Sequence, residues 1–431
     1  NGGVAGAATI RRAPAVTALS GPAAGVVGAR HVAEAAGFED IVTVDIGGTS
    51  ADICLVAAGR IGLTQRGHVG EWPLPLPMVD MATIGAGGGS LARVRDGALL
   101  VGPASAGAVP GPACYGAGGT EPTVTDAHVV LGHLPANLLG GRMRLDRALA
   151  ERAVQGVADQ LGLPLHEAAR GILAVADNVM VGAIRLVSVE RGHDPRRFAL
   201  VAFGGAGPLH GCALAELLGI RTVLVPPAPG VLCAEGLLAA DLRADFSRTL
   251  SGDPETGFRA LEAEADAWFD AERVPVAARR TDRVALMRYE GQGGEVAVPW
   301  PGDRAGAELA FAAAHQTLYG FTLSAPIELV TLRLEASGAL PPPVPEPARE
   351  GSAAPIGTTR VHFREGSREA TLYRREDLPE GAEIASPAII TQLDSTTLVR
   401  PGWRAEVHKA GSLLLRYGAP LAPSPSGRGL G

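Results

Sequence analysis

Two glycine runs, each set directly after an apolar, strand-like segment, constrain this chain more than any other feature. The first is Asp45-Ile46-Gly47-Gly48-Thr49-Ser50-Ala51-Asp52, which continues the β-branched run Ile41-Val42-Thr43-Val44. The second is Phe203-Gly204-Gly205-Ala206-Gly207-Pro208, which follows Phe198-Ala199-Leu200-Val201-Ala202. Glycine at the end of a buried strand lets the backbone turn sharply and come close to another group. Strand character resumes over 52–57 and 61–65 around Gly59, so antiparallel hairpins are expected there. The second run leads into a helix through Leu218, closed by Gly219, and then into a strand over 220–225. Strand, helix and strand at that length form a parallel crossover, which points to an α/β core.

The residues in the bends suit particular chemistry. In the first, backbone N–H groups of Gly47 and Gly48 and the hydroxyls of Thr49 and Ser50 face an anion, while Asp45 faces a metal ion or its water. An ordinary Gly-Gly hairpin turn with a capping threonine fits the same residues. In the second, Gly204, Gly205 and Gly207 let a nucleotide lie against backbone at a helix N-terminus. Tight strand–helix packing fits them too, and Pro208-Leu209-His210 departs from a Rossmann fingerprint. A third glycine loop, 85–90, ends at Ser90 and reads either as an oxyanion or phosphate loop or as a flexible linker. Asp126 reads as a helix-capping residue, or with His128 and His133 as part of a metal site; the histidines otherwise face solvent. Arg191 to Pro195 read as a helix exit, with Arg191 reaching a phosphate as the alternative, and Cys114 reads as a buried structural cysteine rather than a nucleophile.

Composition narrows the function class. Lys409 is the only lysine, which excludes a P-loop and weighs against Schiff-base or Ser-x-x-Lys chemistry. The formal net charge of −7 argues against nucleic acid or an anionic membrane as the main partner. Cys54, Cys114, Cys212 and Cys233 lie far apart without a CxxC pair, so neither a disulfide framework nor a zinc ribbon is expected, and a reducing cytoplasm fits. No run of 18 apolar residues occurs, and no spanning helix is expected.

With 431 residues, two or three domains are expected. Ser20 caps a first helix that stops at Gly37. The strongest helix covers 166–190, with Ile172, Val175, Val179, Ala183 and Leu186 on its buried face. The α/β core takes 1–245. An α+β extension takes 246–340, with an amphipathic helix over 255–275 and alternating strands over 283–299. Proline-rich 337–358 reads as a linker, 341–419 as a β-rich C-terminal domain, and 420–431 as a disordered tail.

The motifs in order resemble the hydantoinase/oxoprolinase family, which includes the hydantoinase A subunit, 5-oxoprolinase and the acetone carboxylase β-subunit. The resemblance rests on Leu19-Ser20-Gly21-Pro22-Ala23, the two glycine runs above, Ile84-Gly85-Ala86-Gly87-Gly88-Gly89-Ser90 and Gly111-Pro112-Ala113-Cys114-Tyr115-Gly116. It continues through Pro122-Thr123-Val124-Thr125-Asp126-Ala127, Glu190-Arg191-Gly192-His193-Asp194-Pro195-Arg196, Pro229-Gly230-Val231-Leu232 and, near the end, Pro387-Ala388-Ile389-Ile390 and Asp394-Ser395-Thr396-Thr397. It implies an actin-like, sugar-kinase-like ATPase core of the ribonuclease H-like kind, with a C-terminal α+β or β-rich domain. It implies Asp45, Asp126 and Ser90 as catalytic residues, with Asp45 also holding Mg²⁺ or Mn²⁺. Gly47, Gly48, Thr49, Ser50, Gly204, Gly205 and Gly207 are implied to hold ATP. The implied reaction is ATP-dependent opening of a cyclic amide such as 5-oxoproline or N-methylhydantoin, with ketone carboxylation or a non-catalytic subunit as alternatives. A hydantoinase B-type partner subunit and an N-terminal lobe with a second Asp-x-Gly-Gly-Thr hairpin are also implied. The chain opens at Asn1-Gly2-Gly3, which reads as mid-protein sequence, and Ala82 stands where the family pattern carries histidine.

Overall fold

The computed structural model describes residues 2–64, 67–69, 72–74, 78–341 and 352–418. The expected tail at 420–431 and residues 342–351 of the expected linker lie outside these residues. The strand Ile327–Gly338 runs into the start of that linker.

The centre is a mixed sheet. Apart from a two-residue edge strand, Arg60–Ile61, its strands are β1 (Ile41–Ile46), β2 (Ala51–Ala57), β3 (Met81–Ile84), β4 (Ala199–Phe203), β5 (Thr222–Val225), β6 (Glu383–Ala385), β7 (Trp403–Val407) and β8 (Leu413–Tyr417). They run across the sheet as β6, β7, β8, β5, β4, β1, β2, and β3 also pairs with β2. β1 and β2 form the expected antiparallel hairpin, with Asp45 opposite Asp52. β1, β4 and β5 are mutually parallel, as the crossover predicts.

Strand alternation assigns the two faces. Val42, Val44 and Ile46 of β1 and Leu200 and Ala202 of β4 join one apolar layer, together with Met180 and Ile184. Ile41, Val201 and Phe203 join the other, with Val26, Ala29 and Leu232. Five helices serve the site: α1 (Ser20–Ala35), α2 (Val124–Val130), α3 (Leu165–Val187), α4 (Gly207–Leu218) and α5 (Leu232–Ala239). α1 and α5 cross closely at Gly236, where a Cβ would stand 1.9 Å from the Ala24 carbonyl oxygen. Leu19 rather than Ser20 occupies the N-cap of α1, in a left-handed conformation without a side-chain cap.

α3 corrects an expectation. Val179 and Leu186 are 43% and 47% exposed, while Leu173, Ala176, Met180, Ile184 and Val187 are buried. The helix is apolar on more than one side; Ile172 and Ala183 of the expected face are buried, and the rest of the buried face is turned toward Leu173, Met180 and Val187. By length and composition it is apolar enough to cross a bilayer; it packs instead into two cores of this fold.

The C-terminal strands also depart from the expected separate unit. The strands at 357–363, 366–374, 388–391 and 396–399 form their own four-stranded sheet, but β6, β7 and β8 extend the central one. A third sheet, 242–249, 279–289, 296–299 and 327–338, packs with helix Pro254–Ala271 around Phe258, Trp268 and Phe311.

Candidate functional site

The three glycine loops meet at the end of β1. Gly204, at φ +78°, lies so near β1 that a Cβ would stand 2.3 Å from Asp45 Oδ1 and 2.5 Å from the Ile46 carbonyl oxygen. The Ala206 N–H donates to that same oxygen at 3.0 Å. The loop at 85–90 docks on the other side: Gly88 N–H donates to Gly47 O at 3.0 Å and Gly89 N–H to Gly48 O at 2.6 Å. Thr125 of α2 secures that loop, its hydroxyl donating to Gly88 O at 2.8 Å. The bends near 47 and 205, distant in sequence, are thus in direct backbone contact.

Within the hairpin turn, Gly47 N–H closes on Ser50 O at 3.0 Å. Gly48 and Thr49 are exposed, and among the described residues none accepts their N–H groups. A Cβ on Gly48 would meet nothing within 4 Å. The turn therefore presents open backbone donors, and α4 adds its positive N-terminal end at Gly207. Together these suit an anion.

Below the turn lie two carboxylates. Asp45 Oδ2 accepts from Cys233 Sγ at 3.3 Å, and Asp52 Oδ1 accepts from Thr83 Oγ1 at 2.5 Å. Burial raises the pKa of both, and the charge of Asp52 raises Asp45 further. Burial also pushes the Cys233 thiol up to about 12, so it serves as a neutral donor to Asp45. A hard divalent cation fits this pair, since carboxylates, phosphate oxygens and water are its preferred ligands.

Beside the second bend, Asp394 ties two loops together. Its Oδ2 accepts from Gly230 N–H at 2.7 Å and its Oδ1 from Gln392 Nε2 at 2.7 Å. Ser395 Oγ donates to Gly205 O at 3.4 Å, and Pro229 O accepts from Gly204 N–H at 2.8 Å. A cavity of about 970 Å³ opens here, lined by Pro227, Ala228, Val231, Arg374, Gln392 and Asp394 among others.

Two expected catalytic residues are corrected. Asp126 is fully buried; its oxygens accept from the N–H groups of Ala113, Cys114 and Thr123 and from the Thr123 hydroxyl. It completes a capping box on α2 and has no face toward a substrate. Asp126→Asn should lower stability by about 2–4 kcal/mol in urea unfolding, because one oxygen becomes a donor among donors, and leave nucleotide affinity unchanged. Ser90 is fully buried too, its Oγ accepting from Gly87 N–H at 2.9 Å, so it shapes the glycine loop. His128 and His133, expected at the surface, are buried, and among the described residues no group of three His, Cys, Asp or Glu side chains is arranged to hold a metal ion. Arg191 chelates Asp80 with two hydrogen bonds. Cys114 is buried, as expected.

Asp52, Cys233, Gln392 and Asp394 were not singled out from sequence. Asp52 and Asp394 stand inside motifs quoted for the resemblance, and Cys233 directly follows one. Asp52 and Cys233 had a signal of their own, a carboxylate or thiol close after a glycine turn; Gln392 and Asp394 have no glycine near them in sequence and had none.

The hydantoinase/oxoprolinase family pattern matches residues 1–246, and that of the hydantoinase/oxoprolinase C-terminal domain matches residues 330–416. The chain is 36% identical over 445 residues to caprolactamase subunit alpha of Pseudomonas jessenii, covering 97% of this chain and 64% of that one. It is 32% identical to the 5-oxoprolinase PfmaA of Pestalotiopsis fici over 90% of this chain and 32% of that one. The crystal structure of the ATP-dependent caprolactamase from P. jessenii superposes with a TM-score of 0.84 at 34% identity, covering 92% of this chain and 62% of that one. The nucleotide-free structure of acetone carboxylase superposes with a TM-score of 0.72 at 28% identity, covering 92% and 61%. The shared architecture is the actin-like ATPase fold. The chain spans less than two thirds of the length of each of these proteins.

Proposed function

The chain belongs to the hydantoinase/oxoprolinase family, and from that premise we propose that it is the ATP-binding part of an enzyme that opens a cyclic amide with hydrolysis of ATP. The observation that carries this reading is the junction of the bends at 47 and 204, with open N–H donors above a carboxylate pair. Gly48 and Thr49 N–H groups would hold phosphate oxygens, and Ser50 would stand beside them. Asp45 and Asp52 would hold Mg²⁺ or Mn²⁺, directly or through water, and the cation would offset charge on the phosphates. Gly204, Gly205 and Gly207 would face the nucleoside, with the cavity beside Asp394 receiving it. The amide carbonyl oxygen takes the terminal phosphoryl group and ADP is released; water then adds to the activated carbon, the C–N bond breaks to free the amine and leave an acyl phosphate, and a second water releases phosphate from it. A relative that is one subunit of a larger enzyme supports a partner subunit, of hydantoinase B type.

ATP turnover measured with 5-oxoproline, ε-caprolactam and N-methylhydantoin, in the presence of the partner subunit, tests the reading. Turnover coupled to ring opening of one of them is expected. ATP turnover that needs a ketone and bicarbonate instead would replace ring opening with carboxylation. No nucleotide binding at all would leave only the shared fold.

A further inference from the structure

The apolar interior divides along α3. Val124, Ala127 and Val130 of α2 pack into one cluster with Ile172 and Ala176 of α3. Leu214, Ala215 and Leu218 of α4 pack into another, with Met180 and Ile184 of the same helix. Asp177 stands on α3 between the two sets, so a seam runs past it, with α2 on one side and α4 on the other.

A chain of buried polar side chains crosses that seam. Asp177 Oδ1 lies 2.6 Å from His210 Nδ1, His210 Nε2 lies 3.2 Å from His128 Nε2, and His128 Nδ1 lies 2.9 Å from His133 Nδ1. The backbone of His362 hydrogen-bonds His133. Asp177 and the three linked histidines are all less than 10% exposed. Burial, and then the neighbouring His210 and His133, hold His128 well below its ordinary pKa of 6.5. Its contacts at neutral pH are therefore those of an uncharged ring. Among the described residues, the contact between His128 and His210 is the one hydrogen bond that joins α2 to α4.

Each of these two histidines stands one turn behind a glycine loop. On α2, His128 follows Thr125 by three residues, and both the N–H and the hydroxyl of Thr125 donate to Gly88 O at 2.8 Å. On α4, His210 follows Gly207, where the second bend ends. Residues three apart share a helix face. In front, the loop at 85–90 and the bend at 204–207 touch without bonding: a Cβ on Gly88 would stand 3.9 Å from Ala206 Cβ, and no described hydrogen bond joins the two. A buried hydrogen-bonded contact behind them is costly to break, because each freed group would be left without water or partner.

We infer that Asp177, His210 and His128 are positioning residues: they bolt α2 to α4 and so set the spacing of the loop at 85–90 against the second bend. Asp177 holds the His210 ring from α3, and His210 holds His128. The hairpin turn follows, because Gly88 and Gly89 grip the carbonyl oxygens of Gly47 and Gly48. The open N–H groups of that turn are thereby kept facing one way. The consequence for phosphate binding rests on the nucleotide reading; the spacing of the loops does not.

An asparagine amide reaches about as far as a histidine Nδ1, and a glutamine amide about as far as Nε2; each can donate or accept. His128→Gln therefore keeps the contact with His210 and loses the one with His133, while His128→Asn does the reverse. Hydrogen exchange of the full chain without nucleotide, read by mass spectrometry over residues 85–92 and 123–131, tests the inference. His128→Asn should speed exchange of both segments about tenfold or more, as expected for one buried hydrogen bond lost, and His128→Gln should restore the native rate. His210→Asn removes the same contact from the other side. It should match His128→Asn, and the double variant should add little to either. Affinity for Mg-ATP, read by calorimetric titration, should fall about tenfold in the asparagine variants and recover in His128→Gln. Equal exchange in His128→Asn and His128→Gln overturns the inference. So does faster exchange spread evenly over the central sheet, which would make the histidines structural only. A loosened 85–90 loop with unchanged Mg-ATP affinity would uphold the inference and count against the nucleotide reading alone; an unmoved loop with native Mg-ATP binding would count against this inference alone.

Discussion

Asp45→Asn should lower affinity for Mg-ATP by at least about 100-fold, the loss expected for a carboxylate serving a divalent cation, while the folded chain becomes more stable to heat. The two effects have one cause. Asp45 is held beside Asp52 under the glycine turns, and burial and that neighbour raise its pKa above the usual 3.8. A raised carboxyl pKa means that the folded chain binds more protons than the unfolded one. Stability is therefore lost as pH rises from the unfolded value through the folded one, and at neutral pH the full penalty is present. Asparagine keeps the size and removes the charge, so it removes that penalty. It also removes the cation's anchor. Calorimetric titration with Mg-ATP reads the first effect and a melting curve at pH 7 reads the second. Unchanged nucleotide affinity in a folded variant would falsify the assignment of this junction. A variant that loses both affinity and stability would make Asp45 a structural residue.

Gly204→Ala has the largest expected effect on the fold near the site. At φ +78° any side chain is strained, at about 1–2 kcal/mol. The added methyl would also stand 2.3 Å from Asp45 Oδ1, 2.5 Å from Ile46 O and 2.8 Å from Ile46 N. Two of those three atoms are backbone of a central strand and have little room to move. A total cost of about 3 kcal/mol or more is expected, read as a clear drop in the urea midpoint. Nucleotide affinity should fall as well, because the second bend must back away from the first. Gly205→Ala is the control. Its Cβ would have only Asp394 O nearby, at 3.9 Å, and a cost under about 1 kcal/mol is expected. Equal stability for the two variants would mean that the bends do not press on one another.

Much of the frame was legible before any coordinates. Ile41 to Val44 and Phe198 to Ala202 are β-branched and apolar enough to be buried strands, and glycine directly after each marks a bend. These are local properties, and both strands and both bends stand where the residues place them. The buried stripe of α3 was only partly legible: Ile172 and Ala183 are buried as expected. Val179 and Leu186 are as apolar as the residues that did go inside, and only the surrounding sheet and helices choose between equivalent stripes. Asp126 shows the converse. Its Thr123-Val124-Thr125-Asp126 spacing is a capping box in plain sequence. Its family context invited a catalytic role, which four structural hydrogen bonds exclude.

The sequence by itself determined the α/β character, the hairpin at 41–57, the crossover through α4 and the family. Each of those follows from neighbours in the chain, where apolar period and glycine act over a few residues. Only the tertiary structure decided that Cys233, 188 residues away, donates to Asp45. It alone joined Asp177, His210, His128 and His133 into one hydrogen-bonded chain. Such partners are chosen by which helices and strands come to rest side by side. That choice depends on the sum of many packing contacts across the sheet, and no short stretch of residues records it.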